Sequence, residues 1–395
     1  MRPVSQEPSD FERFIGPDRR KLPRPHGMAL IVGIIALFVL IGLFALRPGE
    51  PPPIDRSLFG FADQVIPATV ESVEPGPCSY AVDLVCVMVL FSFEVEETTG
   101  THPQEFPDEP GQPAFEPGDR VYLSLVEAED GTVSLSYYDR NRGPLLFAVA
   151  LIFSLSVIAL GRMRGLAALV GLALSVAILI WFIVPAIIAG RDAVLVALVG
   201  GGAIALVSLY LAHGYTPLTH VAAVGAFTAL ALTTGLSWMV LELAEFTGLA
   251  SEEAFYLLSL PDISLSGLVL SGIVLGAIGA LDDVTVTQAS AVWEVGRADP
   301  RLDRRDLFDS GLRIGRDHIA STVNTLLLAY AGAAMPLLIL FSLSALPQGV
   351  VASSEVVAVE IVRTLVGSIG LVAAVPVTTW LAARQMAGAT GVRER

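Results

Sequence analysis

Two adjacent carboxylates, Asp282 and Asp283, open a polar stretch at the end of an apolar run in GAIGALDDVTVTQASAVWEV, Gly276 to Val295. A carboxylate carried to bilayer depth costs at least ~2.5 kcal/mol on insertion scales, so such groups point to ion or proton handling. The small residues Gly272, Gly276 and Gly279 share one helical ridge, and steps of three and four continue it to Asp283, Thr287, Ser290 and Glu294. Neighbouring positions on an α-helix diverge by ~100°, so only one aspartate can follow the ridge, and the spacing selects Asp283.

A second stripe lies in HIASTVNTLLLAYAGAAMP, where His318, Thr322, Thr325, Ala329 and Gly332 share a face with Ser321 and Asn324 beside it. If the two stripes meet, Asp283 approaches His318, and a carboxylate beside an imidazole can relay protons. The competing reading is plainer: Asp282 and Asp283 sit at the headgroups and end one span, and His318 caps the next. His213 and His220 in LAHGYTPLTH add imidazoles near the same end, but that spacing argues only weakly for a metal site. No metal or other cofactor is expected.

The elements that must position these groups follow from composition. The chain of 395 residues is 53% hydrophobic and 16% charged, with a mean hydropathy of +0.67. Soluble domains carry about 25% charged residues, so a soluble globular class is excluded and the lipid bilayer is the first partner. A bilayer core takes roughly 20 apolar residues. Eight runs qualify: 28–46, 144–160, 165–189, 193–212, 217–240, 263–281, 319–345 and 356–383. The first is read as an anchor, since no small-residue cleavage site precedes Arg47.

The expected fold is an all-α transmembrane bundle of about eight spans with a small extracytoplasmic all-β insert. Arginine placement sets the orientation: Arg297, Arg301, Arg304, Arg305, Arg313 and Arg316 mark the loop 282–318 as cytoplasmic, as do Arg162 and Arg164 in GRMRG. The expected organisation is a basic cytoplasmic segment 1–27, the anchor 28–46, an acidic extracytoplasmic domain 47–143, a seven-helix membrane domain 144–386 and a cytoplasmic tail 387–395. Both termini are then cytoplasmic.

The insert holds eighteen acidic residues against five Arg, a net of −13 out of the chain's −15. This charge keeps a β domain soluble and off an anionic membrane face. QVIPATVESVE, LVCVMVLFSFEVE, DRVYLSLVEA and GTVSLSYYDR read as strands between turn signals, and TTGTHPQEFPDEPGQPAF as a Pro- and Gly-rich loop. Cys78 and Cys86, on the oxidising side, are expected to form a disulfide closing a turn between two strands. Elsewhere, Gly200, Gly201, Gly202, Pro185, Pro336 and Pro376 interrupt apolar runs, and tight helix packing is the simpler account of them.

GAIGALDDVTVTQASAVWEV followed by SGLRIGRDHIASTVNTLLLAYAGAAMPLL resembles the YibE/F-like family of bacterial membrane proteins, over roughly residues 140–390 and more loosely around EPGDRVYLS. The resemblance implies a multipass plasma-membrane protein and supplies no substrate and no residue roles.

Three function classes fit these residues. The first is a secondary transporter or permease of an unknown small molecule or ion, proton-coupled through the stripes, since no nucleotide-binding signature is present. The second is a sensor or assembly factor whose β domain binds a cell-surface protein partner. The third is an intramembrane enzyme using two carboxylates, which adjacent, diverging aspartates serve poorly. Nothing points to nucleic acid, and a homo-oligomer is compatible with all three.

Overall fold

The computed structural model describes residues 26–50, 64–80, 84–95, 98–127, 133–260 and 262–390. The basic segment before residue 26 and the tail after 390 lie outside them. The described residues fall into two compact units, one within Pro53–Leu166 and one formed by the rest.

The smaller unit is a five-stranded antiparallel sheet: β1 Gln64–Pro77, β2 Val85–Val95, β3 Thr98–Pro107, β4 Arg120–Glu127 and β5 Val133–Arg140, in the order β3-β2-β1-β4-β5. Alternation decides which face is buried: Ile66, Ala68 and Val70 of β1 point into one core with Val89, Phe91, Val121 and Leu123. The sheet curls until its edges approach, and the Tyr137 amide on β5 donates 2.7 Å to Gln104 Oε1 on β3. The rings of Phe91, Phe106, Phe115 and Tyr137 pack edge to face beneath it. Cys78 and Cys86 form a disulfide across the turn of the β1–β2 hairpin, next to the pair Gly76 and Cys86.

One segment differs from expectation. The stretch taken as a Pro-rich loop supplies β3, which pairs with β2 from Cys86↔Pro107 to Val95↔Thr98. As an edge strand it tolerates Pro103 and Pro107, whose missing N–H groups matter least there. Phe106 and Phe115 give this segment the apolar anchors that its average composition conceals.

The larger unit is helical. Its elements are α1 His26–Ala45, the end of α2 Gly143–Ile178, a wide turn Leu179–Ile183 leading into α3 Val184–Ile188, α4 Ala193–His213 and α5 Pro217–Leu243. There follow α6 Glu252–Leu257, α7 Leu265–Ala298, α8 Arg304–Ala333, α9 Met335–Ser342, α10 Gln348–Ser353 and α11 Glu355–Thr390. Among the described residues six helices are long and apolar enough to cross a membrane, or seven if α8 and α9, bent by 68° to one another, make one span.

Beside the α8–α9 bend, the difference from eight apolar runs lies at Arg162, where α2 breaks at φ 49° and ψ −127°. Gly143–Ile188 counts as one stretch of 46 residues, which as a straight helix would be ~69 Å, over twice a ~30 Å bilayer core. A Cβ on Gly165 would strike the Val157 carbonyl, whereas a continuous helix holds positions eight apart at ~12 Å. The chain therefore turns sharply at GRMRG, where two of the runs were expected to join.

Glycines set the helix contacts in this unit. On α4, added Cβ atoms would strike Ile183 from Gly200, Ile278 of α7 from Gly201, and Phe227 of α5 with Val39 of α1 from Gly202. Three successive glycines thus let α4 touch four neighbouring elements at once. Helices α5 and α11 run antiparallel through two reciprocal contacts, Gly225 on Thr378 and Thr233 on Gly370. On α8, Gly311 and Gly315 admit Gln288 of α7, whose Nε2 donates to the Gly311 carbonyl (2.8 Å) and to Thr379 Oγ1 of α11 (2.7 Å). The polar amide is buried but satisfied, and it locks α7, α8 and α11 together.

Candidate functional site

Helix α7 begins with Ser264, which accepts from the Gly267 amide, and runs 34 residues without a proline. Asp282 lies seventeen residues in, ~26 Å from its start. Helix α4, capped by Asp192 through the Leu195 amide, brings Ser208 alongside. Ser208 Oγ donates 2.7 Å to Asp282 Oδ2. Asp282 Oδ1 is buried and has no hydrogen-bond partner. A carboxylate so placed lacks compensation for the water it has lost.

Beside this pair lies a cavity of about 450 Å³ between the end of α2, α4 and α7. Leu172, Val176, Ile204, Leu275 and Ile278 form its walls, and among the described residues Asp282 is the only ionisable one in its lining. The wide turn Leu179–Ile183, where the Val184 amide reaches back five residues to the Leu179 carbonyl, begins at its rim. His213, at the C-terminal end of α4, and Asp283 are the titratable groups that act electrostatically on Asp282. Nearby in sequence, the Tyr210 hydroxyl meets His220 Nδ1 at 2.7 Å, and the Tyr215 ring stands against the His220 ring at 4.4 Å.

The ridge selected from sequence occupies a different azimuth. Asp283, Thr287 and Glu294 are exposed, Ser290 is half-buried, and Glu294 pairs with Arg297 at 2.9 Å. Gly276 and Gly279 are exposed too, and Gly272 is half-buried. On α8, His318 is half-buried with a buried, unpartnered Nε2. Thr322 and Thr325 donate to the carbonyls of His318 and Ser321, and Asn324 is exposed. Among the described residues no hydrogen bond or ion pair joins Asp283 to His318. Gly276 of the α7 ridge faces α8 at a residue outside the second stripe: an added Cβ would come to 2.7 Å from the Tyr330 hydroxyl.

The inward polar face of α7 is instead Asp282, Thr285 and Gln288, at steps of three. Sequence reasoning passed over Ser208 and Gln288, which carry no signal until partners are known. It also passed over Glu360 and Arg363 inside the last apolar run, where a charge pair three residues apart was legible. Arg363 Nη1 donates to both Glu360 oxygens at 2.9 and 3.2 Å, and its Nε is buried without a partner. An added Cβ at Gly272 would lie 3.6 Å from Arg363 Nη2.

Among the described residues no group of three or more His, Cys, Asp or Glu is arranged to hold a metal ion. Comparison with known proteins finds no match among curated proteins or solved structures. The model of one family, YibE/F-like protein, matches residues 149–388, which takes in every helix around Asp282 and the stripes on α7 and α8. With well over half its length covered, and with the Asp-Asp stretch inside the match, the chain belongs to the YibE/F-like family.

Proposed function

We propose that the chain is a secondary transporter of the plasma membrane in which Asp282 carries the coupling proton. One observation carries this reading: a carboxylate deep in a helix bundle, held by a single hydroxyl, with one oxygen buried and unpaired at the edge of a cavity. An ionised group left in that state is costly, so it favours an environment that supplies a proton or a counter-charge.

In the eight-span orientation with both termini cytoplasmic, the C-terminal end of α7 with Arg297 is cytoplasmic, and Asp282 lies in the inner third of the membrane. His213 then stands between it and the cytoplasm as the relay imidazole. The Glu360–Arg363 pair occupies the opposite half of the same bundle, and the acidic β unit faces outside.

Cysteine labelling tests the proposal without a substrate. Both native cysteines are tied in the disulfide, so the parent chain gives no background. Single cysteines at Gly279 and Ser175, which line the cavity, are expected to react with impermeant thiol reagents from both sides of the membrane. Labelling from one side alone, or none, overturns the transport reading and turns attention to the β unit as a sensor or assembly surface.

A further inference from the structure

We infer that the cavity takes an organic cation with an apolar body, and that this ligand and a proton alternate as the charge partner of Asp282. The exchange rests on the transport reading above, whereas the binding rests on geometry alone.

Charge comes first. Among the described residues Asp282 contributes the only ionisable group in the lining, and no Arg pairs with it. Around it the titratable groups are His213 on α4 and Asp283 on its own helix, and the end of α2 contributes none to the cavity. The unsatisfied demand is therefore for positive charge, delivered as a proton or on a ligand.

The walls decide which cations qualify. A bare metal ion needs about six oxygen ligands, and this lining offers one carboxylate and two hydroxyls. Of those, Ser175 already donates to the Gly171 carbonyl and Ser208 to Asp282 itself. Leu172, Val176, Leu179, Ile204, Leu275 and Ile278 present only carbon to the interior. They would desolvate an inorganic ion without recompense, but they gain from burying hydrocarbon. The volume of about 450 Å³ falls within the range of small-molecule sites. A quaternary or aromatic cation meets both conditions, since its charge is spread and its surface is apolar.

The test uses the full chain in nanodiscs and three cations of different shape, tetraphenylphosphonium, ethidium and benzyltrimethylammonium, by equilibrium dialysis. At least one is expected to bind saturably and to bind more weakly as the pH falls, because protons compete for Asp282. Asp282→Asn should lower its affinity at least ~10-fold, or ~1.4 kcal/mol. Ile204→Trp, which fills the cavity with the carboxylate intact, should do the same. Tetraphenylborate, with the same shape and opposite charge, should not bind.

Absence of binding by all three cations, equal binding by Asp282→Asn, or equal binding of tetraphenylborate each overturns the inference. Proton movement in proteoliposomes separates it from the transport reading. Asp282-dependent cation binding without proton release keeps the site and sinks the exchange. Asp282-dependent proton movement without cation binding sinks both the site and the exchange and keeps the transport reading.

Discussion

Ser208 on α4 and Asp282 on α7 meet through a hydrogen bond of 2.7 Å, 74 residues apart in sequence, and among the described residues the serine is the sole side-chain hydrogen-bond partner of the carboxylate. The sequence ridge pointed to the neighbouring aspartate. The difference of one residue is a rotation of ~100° about the helix, enough to move a carboxylate from the outer surface of the bundle to its interior.

The pair predicts a double-mutant cycle. Asp282→Asn removes a buried charge and keeps the shape, so thermal unfolding in detergent should occur at or above the wild-type temperature. Ser208→Ala leaves the carboxylate without any partner and should destabilise by about 1–3 kcal/mol. In the Asn background the same serine change should cost under ~1 kcal/mol, because a neutral amide is far cheaper to leave unpaired. Equal costs in both backgrounds would mean that Asp282 is already neutral when the chain is folded.

The reciprocal Gly–Thr contacts of α5 and α11 predict compensation. Gly225→Ala would press a methyl into Thr378 and Gly370→Ala into Thr233, an overpacking cost of about 1–3 kcal/mol each. Thr378→Ala should be mild alone, since its hydroxyl is buried without a partner, and should restore most of the loss from Gly225→Ala. Gly332→Ala, with open space around it, should be neutral or raise stability by up to ~1 kcal/mol through helix propensity. Thermal unfolding of the four single variants and of the Gly225→Ala/Thr378→Ala double variant separates these outcomes.

How much of this was legible beforehand varies with the kind of signal. The membrane class, four of the five strands and the Cys78–Cys86 bond follow from composition, alternation and compartment, which are local properties. Strand β3 was hidden because an edge strand can hold Pro103 and Pro107. The choice between Asp282 and Asp283 was hidden for a deeper reason. In a membrane helix small residues occur on every packed face, and here the decisive face is set by α4, whose Gly201 brings it against α7 and whose Ser208 then meets Asp282. No window of α7 alone contains that information. Glu360 and Arg363 were legible and were passed over, because the run around them is otherwise so apolar.

The β unit should be acid-labile in two steps. Burial holds the His102 imidazole below its ordinary value of about 6.5, so in that window the unfolded chain takes up a proton that the folded chain refuses. Stability present above ~6.5 is therefore lost as pH falls through it. The Glu105 carboxyl is held low by the Ser79 hydroxyl and amide (2.7 and 3.0 Å), and Asp139 by the Arg140 amide and the Arg142 guanidinium. Both contribute above their ordinary values and fail as pH drops through the lowered ones. Hydrogen exchange of residues 64–140 in the full chain, corrected for intrinsic rates, should show protection falling below pH ~6.5 and again below ~4.5. His102→Gln should abolish the first step. Constant protection between pH 7 and 5 in the parent chain would contradict this account.

The pair Glu360–Arg363 predicts an asymmetry between breaking a charge contact and removing it. Each side chain is a little under one-third exposed, so solvent screens part of the interaction. Even so, Glu360→Leu leaves a guanidinium whose Nε is already buried and unpartnered, in a run of apolar residues that cannot replace the lost contact. That variant should lose at least ~1 kcal/mol. Removing both charges in Glu360→Leu with Arg363→Met should recover most of it, since two apolar chains of similar volume suit the same site. If the single and double variants unfold at the same temperature in nanodiscs, the guanidinium finds other partners at the membrane surface by extending its side chain there. Recovery in the double variant would show that the pair adds little net stability, leaving Arg363, which stands over Gly272 on the same helix that holds Asp282, free to serve the other half of the bundle.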